Sequence, residues 1–327
     1  MLFYENLEEI IFHRHELFAS DELVVLSGYL GPSPVSRLES LPIKSSVIYG
    51  MYGSDGIRER LHTALLDLNK KMDNTTILYS NIPVHSKCYI WKKQDLIVHA
   101  LIGSANFSTS GLSNPYKEVL AETTYDTFSP LNAYLKMIID KSISCDEHVP
   151  TSYTKKIVST GTGVPLFGKM DICNISFLDR NNEVPEKSGL NWGHGNGNVK
   201  PNDAYIPINI NHIFSYPNLF PPKQIKPMSL VRNGRMQRHN DSVEIIWDDG
   251  VVMEGLLEGS QEIGGITYPK QISSSSEKSI IGAYIRKRIG LPSGSKVSKT
   301  DLERYGRTNI DISLQSEGVY FFDFSIN

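Results

Sequence analysis

The chain has 327 residues, 40% hydrophobic and 21% charged, a balance that excludes a disordered polymer and suits two domains of ordinary size. No apolar run approaches the roughly 18 residues needed to span a bilayer, and Met1-Leu2-Phe3-Tyr4-Glu5-Asn6 lacks the basic and apolar segments of a secretory leader, so a cytoplasmic protein with no membrane partner is expected. The formal charge of −3 divides unevenly: residues 1–150 hold 13 Lys+Arg against 18 Asp+Glu (net −5), whereas 151–327 hold 20 against 18 (net +2), which makes the second half the better partner for a polyanion.

The first predicted element is a helix from Glu5 to Phe18, with Leu7, Ile10, Ile11 and Phe18 near one face. Leu23–Leu26 reads as a buried strand ending at Gly28, and Ser46–Gly50 as a second. Ser54 and Asp55 are N-cap candidates for a helix carrying Ile57, Leu61, Leu65, Leu68 and Met72 on one stripe. Further strands are expected at Thr76–Tyr79, Cys88–Trp91, Ile97–Ile102 and Val119–Thr123, followed by a helix from Leu131 to Ile143. Strands alternating with helices predict an α/β domain over 1–150, a mixed sheet flanked by helices. Pro150, Ser152, Thr160 and Gly161 interrupt any pattern, and a linker is placed at 151–165.

The second half, 166–327, is rich in Gly, Pro, Asn and Ser. Its strands are short: Ala204–Ile208, Val243–Trp247, Val251–Met253 and Val319–Phe324, with a turn at Asp248-Asp249-Gly250. Ser260–Ser276 reads as a long polar loop, and helices are expected near Ser279–Ile289 and Lys299–Tyr305. The sum is a mainly β pseudobarrel. Cys88, Cys145 and Cys173 lack CxxC spacing and read as buried free thiols.

Two short strings carry chemistry. Val84-His85-Ser86-Lys87 puts His85 and Lys87 two apart, on one face if both lie in a strand. Gly103-Ser104-Ala105-Asn106 follows just past the next strand, and Glu118 opens the one after. A neutral imidazole can attack phosphorus, and an imidazolium can protonate a leaving oxygen. The Lys87 ammonium would offset phosphate charge, while Ser104 and Asn106 can donate to phosphate oxygens. A carboxylate at Glu118 can hold the far imidazole nitrogen. Each string alone is an ordinary strand or turn; the combination is far more specific. His99 has no Lys two residues on and reads as strand packing. His13-Arg14-His15 diverges on a helix, and no zinc-binding spacing appears, so no metal and no cofactor are expected.

Residues 84–122 resemble the phospholipase D superfamily, whose pattern is His-x-Lys, an Asp further on, then Gly-Ser/Thr-x-Asn. His85, Lys87, Gly103, Ser104 and Asn106 match; Lys92 stands where the Asp is usual, and Asp95 is out of register. The departure points away from the lipid-hydrolysing members and towards the nucleases. The resemblance implies a phosphohistidine on His85, phosphate binding by Lys87, Ser104 and Asn106, and orientation of the imidazole by Glu118. It also implies a second histidine. With one motif copy, that histidine must come from another subunit, so a homodimer through the N-terminal domain is expected, with one active site shared across the two-fold axis.

The full arrangement is similar to restriction endonucleases of the BfiI and NgoFVII type, which join such a nuclease to a C-terminal B3-like DNA-binding pseudobarrel. The further matching features are Ser188–Gly193, Ala204–Ile208 and Phe220-Pro221-Pro222. The resemblance implies sequence-specific, metal-independent cleavage of double-stranded DNA. Two arms would enter the major groove, at about Ser188–Asn202 and Glu258–Ser276. Asn191, Trp192, Lys270, Gln271 and Ser273 are the candidates to meet base edges, and Arg232, Arg235 and Arg238 to meet phosphates. Arg286-Lys287-Arg288 reads as a solvated helix face. A separate helicase-like ATPase subunit and a cognate DNA methyltransferase are possible partners, since this chain carries no phosphate-binding loop of its own. The alternatives are a phospholipase D-type lipid phosphodiesterase and a catalytically silent DNA-binding defence protein.

Overall fold

The computed structural model describes residues 1–148, 171–223 and 240–326. The chain divides into two compact units, Met1–Met170 and Asp171–Asn327. The expected linker at 151–165 lies outside the described residues.

The first unit runs β1 (Leu2–Phe3), α1 (Leu7–Phe18), β2 (Glu22–Ser27), α2 (Pro32–Arg37), β3 (Lys44–Tyr49), α3 (Tyr52–Asp55), α4 (Glu59–Lys71), β4 (Thr75–Ser80), β5 (Lys87–Lys93), β6 (Leu96–Gly103), α5 (Thr109–Leu112), β7 (Leu120–Glu122), α6 (Phe128–Ile139) and β8 (Ser142–Ser144). These strands form one mixed sheet in the order β1-β7-β6-β5-β2-β3-β4-β8. The pairs β2–β3 and β3–β4 are parallel; the others are antiparallel. The central strands read as nearly continuous apolar runs because both faces are covered. On one face Val24, Leu26, Ile48, Ile90 and Ala100 pack with Leu131, Leu135 and Ile138 of α6. The alternate residues Leu23, Val25, Val47, Ile77, Tyr89 and Leu101 are fully buried as well, and α1 and α4 pack against β5 and β4.

Three differences from the expected elements have physical causes. The helix expected from Ser54 is two helices, because Gly56 at φ 69° breaks the chain between α3 and α4. The helix expected to reach Ile143 stops at Ile139, and Ser142–Ser144 instead joins β4 as an edge strand. The strand carrying the His-x-Lys string begins at Lys87, so His85 precedes it.

The second unit contains β9 (Ile172–Ser176), β10 (Ile206–Pro207), α7 (Ile210–Ser215), β11 (Asp241–Trp247), β12 (Val252–Glu258), β13 (Gln261–Ile263), β14 (Ile266–Tyr268), β15 (Gln271–Ser274), α8 (Ser279–Arg288), α9 (Lys299–Tyr305), β16 (Asn309–Ser316) and β17 (Val319–Asp323). Seven strands form the sheet β10-β15-β12-β11-β17-β16-β9, with β11 and β17 parallel. Its core holds Trp247, Phe220, Phe322 and Phe324 against Ile281, Ile285 and Leu302 of α8 and α9. The stretch read as a polar loop, 260–276, holds the hairpin β13–β14 and the sheet strand β15. Its many Ser and Gly residues hid the alternation.

All three cysteines are buried and unpaired, and burial pushes the thiols of Cys88 and Cys145 up to about 11 and that of Cys173 to about 12. His99 is buried in β6, stacked on Phe18 with ring centroids 4.0 Å apart, and among the described residues its Nε2 has no hydrogen-bond partner. Burial, helped by Arg14, pulls its pKa down to about 4 despite Glu122. Burial also lowers His62, next to His148, and His148 itself. All three bind a proton less readily when folded than in the unfolded chain, where histidine titrates near ~6.5, and His99 is shifted to about 4. Stability is therefore fully present above pH ~6.5 and falls as the pH drops towards 4. Chemical denaturation of wild type and His99→Phe between pH 7 and 5 should show a shallower loss in the variant, which keeps the stack on Phe18.

Candidate functional site

The sheet register assembles the site. β5 is antiparallel to β2 and to β6, with Leu26 opposite Cys88 and Lys87 opposite Gly103. Gly103 is in turn opposite Leu120 of β7. One end of the sheet therefore gathers the residues after β2, the start of β5, the residues after β6 and the approach to β7.

Three of the expected residues converge there on Gly28, directly after β2. A methyl group at Gly28 would sit 3.2 Å from His85 Cδ2 and 3.3 Å from both Asn106 Oδ1 and Lys87 Nζ. Lys87 is only 4% exposed. Its ammonium lies 3.1 and 3.2 Å from the two His85 ring nitrogens and donates to the His85 carbonyl at 2.6 Å. His85 is itself exposed, in a segment without strand pairing. That segment is tied down on both sides: Val84 N–H donates to Gly50 O at 2.9 Å, and Ser86 Oγ meets the Tyr134 hydroxyl of α6 at 2.9 Å.

Asn106 is buried, and its amide orientation follows from its partner. Tyr29 N–H donates to it at 3.1 Å, so that atom must be the carbonyl oxygen. The NH2 group is left to donate. Ser27 Oγ accepts from Phe107 N–H at 2.9 Å and donates to Tyr29 O at 2.6 Å, locking the loop that carries Asn106 to the end of β2.

Ser104 and Glu118 sit at the same sheet end but outside this cluster. Ser104 Oγ accepts from Val119 N–H at 3.1 Å, and Ser104 N–H donates to Val119 O at 3.0 Å, which clamps the ends of β6 and β7 together. Glu118 is half-buried and lies two residues ahead of β7 rather than opening it. Its charge adds to the burial that raises the Tyr89 phenol. Among the described residues no hydrogen bond joins Glu118 to His85. The sequence reading took Gly28 only as a strand end and Asp55 only as an N-cap candidate, and it passed over Tyr29. The glycine that ends the apolar run of β2 was the one local signal, and the rest depends on long-range pairing.

In the second unit the arm candidates separate. Asn191 is 1% exposed; its Nδ2 donates to Pro185 O at 3.1 Å and Val297 O at 2.8 Å, and its Oδ1 accepts from Val297 N–H at 2.8 Å. The amide is a tether with no donor left for a base. Ser273 is buried within β15, where its hydroxyl takes a hydrogen bond from Lys278 at 3.0 Å. Gln271 Nε2 donates to Glu258 at 2.8 Å, beside the Lys278–Glu258 ion pair at 2.7 Å. Burial pushes the Glu258 carboxyl up, but hydrogen bonds from Lys278, Gln271 and Ser273 outweigh it and hold the group below its ordinary value. Trp192 is half-buried and edge-on to Tyr205, while Lys270 is exposed. Exposed residues that the sequence reading passed over are Asn196, Asn198 and Lys200 in the first arm and Thr267 in the second.

Arg232, Arg235 and Arg238 lie outside the described residues. The 286–288 run is not a solvated face: Arg286 is 1% exposed, Arg288 pairs with Asp248 at 2.7 Å, and Lys287 alone of the three is exposed.

Asn191→Ala should destabilise the second unit by about 3 kcal/mol, because three buried backbone groups lose their partner. Denaturant titration of the intact protein, followed by Trp fluorescence, measures it.

A family model described as the NgoFVII restriction endonuclease N-terminal phospholipase D (PLD) domain matches residues 5–150. A second, described as the NgoFVII C-terminal B3-like DNA-binding domain, matches residues 165–316. No curated protein matches. Among solved structures, NucT from Helicobacter pylori is 20% identical over 44% of this chain and 97% of its own, with a TM-score of 0.33. Nuc from Salmonella typhimurium, a phospholipase D family member, is 14% identical over 42% of this chain and 87% of its own, with a TM-score of 0.30. A polyphosphate kinase from Porphyromonas gingivalis is 12% identical over 42% of this chain and 21% of its own, with a TM-score of 0.30.

Proposed function

This chain belongs to the NgoFVII family of restriction endonucleases, and from that premise we propose that it cuts double-stranded DNA without a metal, through a phosphohistidine on His85. The family membership makes it a DNA endonuclease, with a phospholipase D-like nuclease domain and a B3-like DNA-binding domain. Both matching models are described as domains of NgoFVII, a restriction endonuclease.

The observation that carries the mechanism is the convergence of His85, Lys87 and Asn106 on Gly28. A phosphate drawn there meets a buried ammonium, an amide NH2 and an imidazole within one small volume. The ammonium supplies the charge compensation that a metal ion provides in other nucleases. An imidazole nitrogen of His85 attacks phosphorus, a P–N bond forms, and the bond from phosphorus to the leaving oxygen breaks. That oxygen takes a proton from a second imidazolium. The resulting neutral imidazole then removes a proton from water, the hydroxide attacks phosphorus, and the P–N bond breaks to restore His85. Ser104 and Asn106 donate to the phosphate oxygens; the orienting role of Glu118 rests on the resemblance alone, since among the described residues no hydrogen bond joins it to His85.

The second imidazole has no source in this chain's motif, so it is assigned to His85 of the partner subunit in a homodimer sharing one site. In the second domain, the exposed Lys270 and half-buried Trp192 remain the arm candidates from the sequence, joined by Asn196, Asn198 and Lys200. Asn191, Gln271 and Ser273 are reassigned to bracing the arms. Phosphate contact by Arg232, Arg235 and Arg238 is retained. A helicase-like ATPase and a DNA methyltransferase remain proposed partners, and the cytoplasm the proposed location. No helix among the described residues is long and apolar enough to cross a membrane.

Digestion of varied plasmid DNA with mapped ends, with and without excess EDTA, tests the mechanism. Cleavage at fixed sites should persist in EDTA; strict dependence of the cut on Mg²⁺ would overturn it. His85→Ala should lose cleavage by at least about a thousand-fold while its gel shift on cognate DNA is kept. Subunit exchange between wild type and His85→Ala tests the shared site. Activity should fall as the square of the wild-type fraction, whereas a linear fall would mean that each chain cuts alone.

A further inference from the structure

We propose that Tyr29 is a positioning residue for the His85 imidazole, with Asp55 pinning Tyr29 in place. The proposal rests on the reading of His85 as the nucleophile.

His85 is exposed just before β5, between buried Val84 and half-buried Ser86, and it belongs to no strand. Among the described residues its ring nitrogens have one neighbour within hydrogen-bond distance, the Lys87 ammonium. In the proposed reaction that ammonium turns to the phosphate. The ring then needs a support that the phosphate does not draw away.

Tyr29 is such a support. Its ring stands edge-on to His85, centroids 6.0 Å apart at 78°, and is only 5% exposed. Its hydroxyl donates to Asp55 Oδ2 at 2.7 Å, and Asp55 Oδ1 accepts from Ser54 Oγ at 2.8 Å. Asp55 ends α3, and the residues leading into α3 are bonded to the same end of β2: Gly50 N–H to Ser27 O at 2.8 Å and Met51 N–H to Gly28 O at 3.1 Å. The Tyr29 backbone N–H meanwhile fixes Asn106 Oδ1 at 3.1 Å. One residue thus holds the phosphate-binding amide through its main chain and the imidazole through its side chain. The carboxylate of Asp55 keeps the ring at that angle. An attacking nitrogen displaced by about 1 Å can lose up to about a hundred-fold in rate, so a ring that sets the imidazole's angle acts on kcat.

Single-turnover cleavage and gel shifts with cognate DNA test this in the full-length protein. Tyr29→Leu should lower the cleavage rate about ten-fold with DNA affinity and KM unchanged, since the backbone contact to Asn106 is kept. Tyr29→Phe and Asp55→Ala should each lower it about three-fold, and the double variant should be no slower than either single one, because Asp55 acts through the Tyr29 hydroxyl. Wild-type cleavage by Tyr29→Leu would overturn the proposal, as would multiplicative losses in the double variant. Should Tyr29→Leu not fold, the Phe and Ala pair still decides. His85→Ala, run alongside, separates the two readings. If it cuts normally, the assignment of His85 fails. If it is dead while Tyr29→Leu is fully active, only the role of Tyr29 fails.

Discussion

The site depends on the placement of β5 between β2 and β6, antiparallel to both. Side chains alternate along a strand, so a slip of one residue would carry Lys87 to the other face. Both faces of this sheet are packed, and the register is pinned by what each face buries. On one side are Val24, Leu26, Cys88, Ile90 and Ala100 against α6; on the other are Leu23, Val25, Tyr89 and Leu101. Lys87 is the first residue of β5, where the apolar run has not yet begun. It is buried, and its ammonium lies beside His85 at the sheet end where β2 and β6 stop.

Close backbone approach completes that end, and the glycines show how. A methyl group at Gly50 would lie 2.2 Å from Val84 O, and one at Gly103 would lie 1.9 Å from Val119 O. Gly50 therefore lets the segment before His85 dock on the end of β3. Gly103 of the Gly-Ser-x-Asn string lets β7 close on β6, and the adjacent Ser104 hydroxyl caps Val119 N–H. At Gly103 the demand for glycine comes from the neighbouring strand, before any phosphate arrives. Gly28 differs: its missing side chain leaves the volume into which His85, Lys87 and Asn106 point.

The residues legible in the sequence were those whose meaning is local. Strands β2 to β6 announce themselves as apolar runs bounded by turns, and the His-x-Lys and Gly-Ser-x-Asn strings are short enough to be read directly. Tyr29 and Asp55 escaped because their roles come from pairing over 26 residues of chain, in a stretch where nothing marks one tyrosine among many. Asn191 was read as a base reader because Asn suits adenine; that it spends its amide on Pro185 and Val297 is set by a loop more than 100 residues away. Arg286 misled for the same reason: three consecutive cations on a short helix look solvated until the helix is packed.

Among the described residues that buried arginine has no carboxylate partner, yet it stays a cation, since guanidinium does not lose its proton in proteins. Burial lowers its pKa, and backbone carbonyls offset the charge instead. Arg286 donates to Leu190 O at 2.9 Å, Gly282 O at 3.1 Å and Ser295 O at 2.6 Å. A lysine presents no planar fork to reach three such directions at once. The same 293–297 loop receives Asn191 through Val297, and Asn202 through Ser293 and Gly294 at 2.8 and 2.6 Å. Both ends of the first arm are thus bolted to one loop, and Arg286 ties that loop to α8. Between the bolts, Gly195 and Gly197 flank the exposed Asn196, and Asn198 and Lys200 follow. A fixed base that presents exposed polar residues suits the groove reading proposed for this arm. In the groove reading proposed for this arm, a tip that discriminates bases starts from a fixed origin, and the buried polar residues at 191, 202 and 286 supply it.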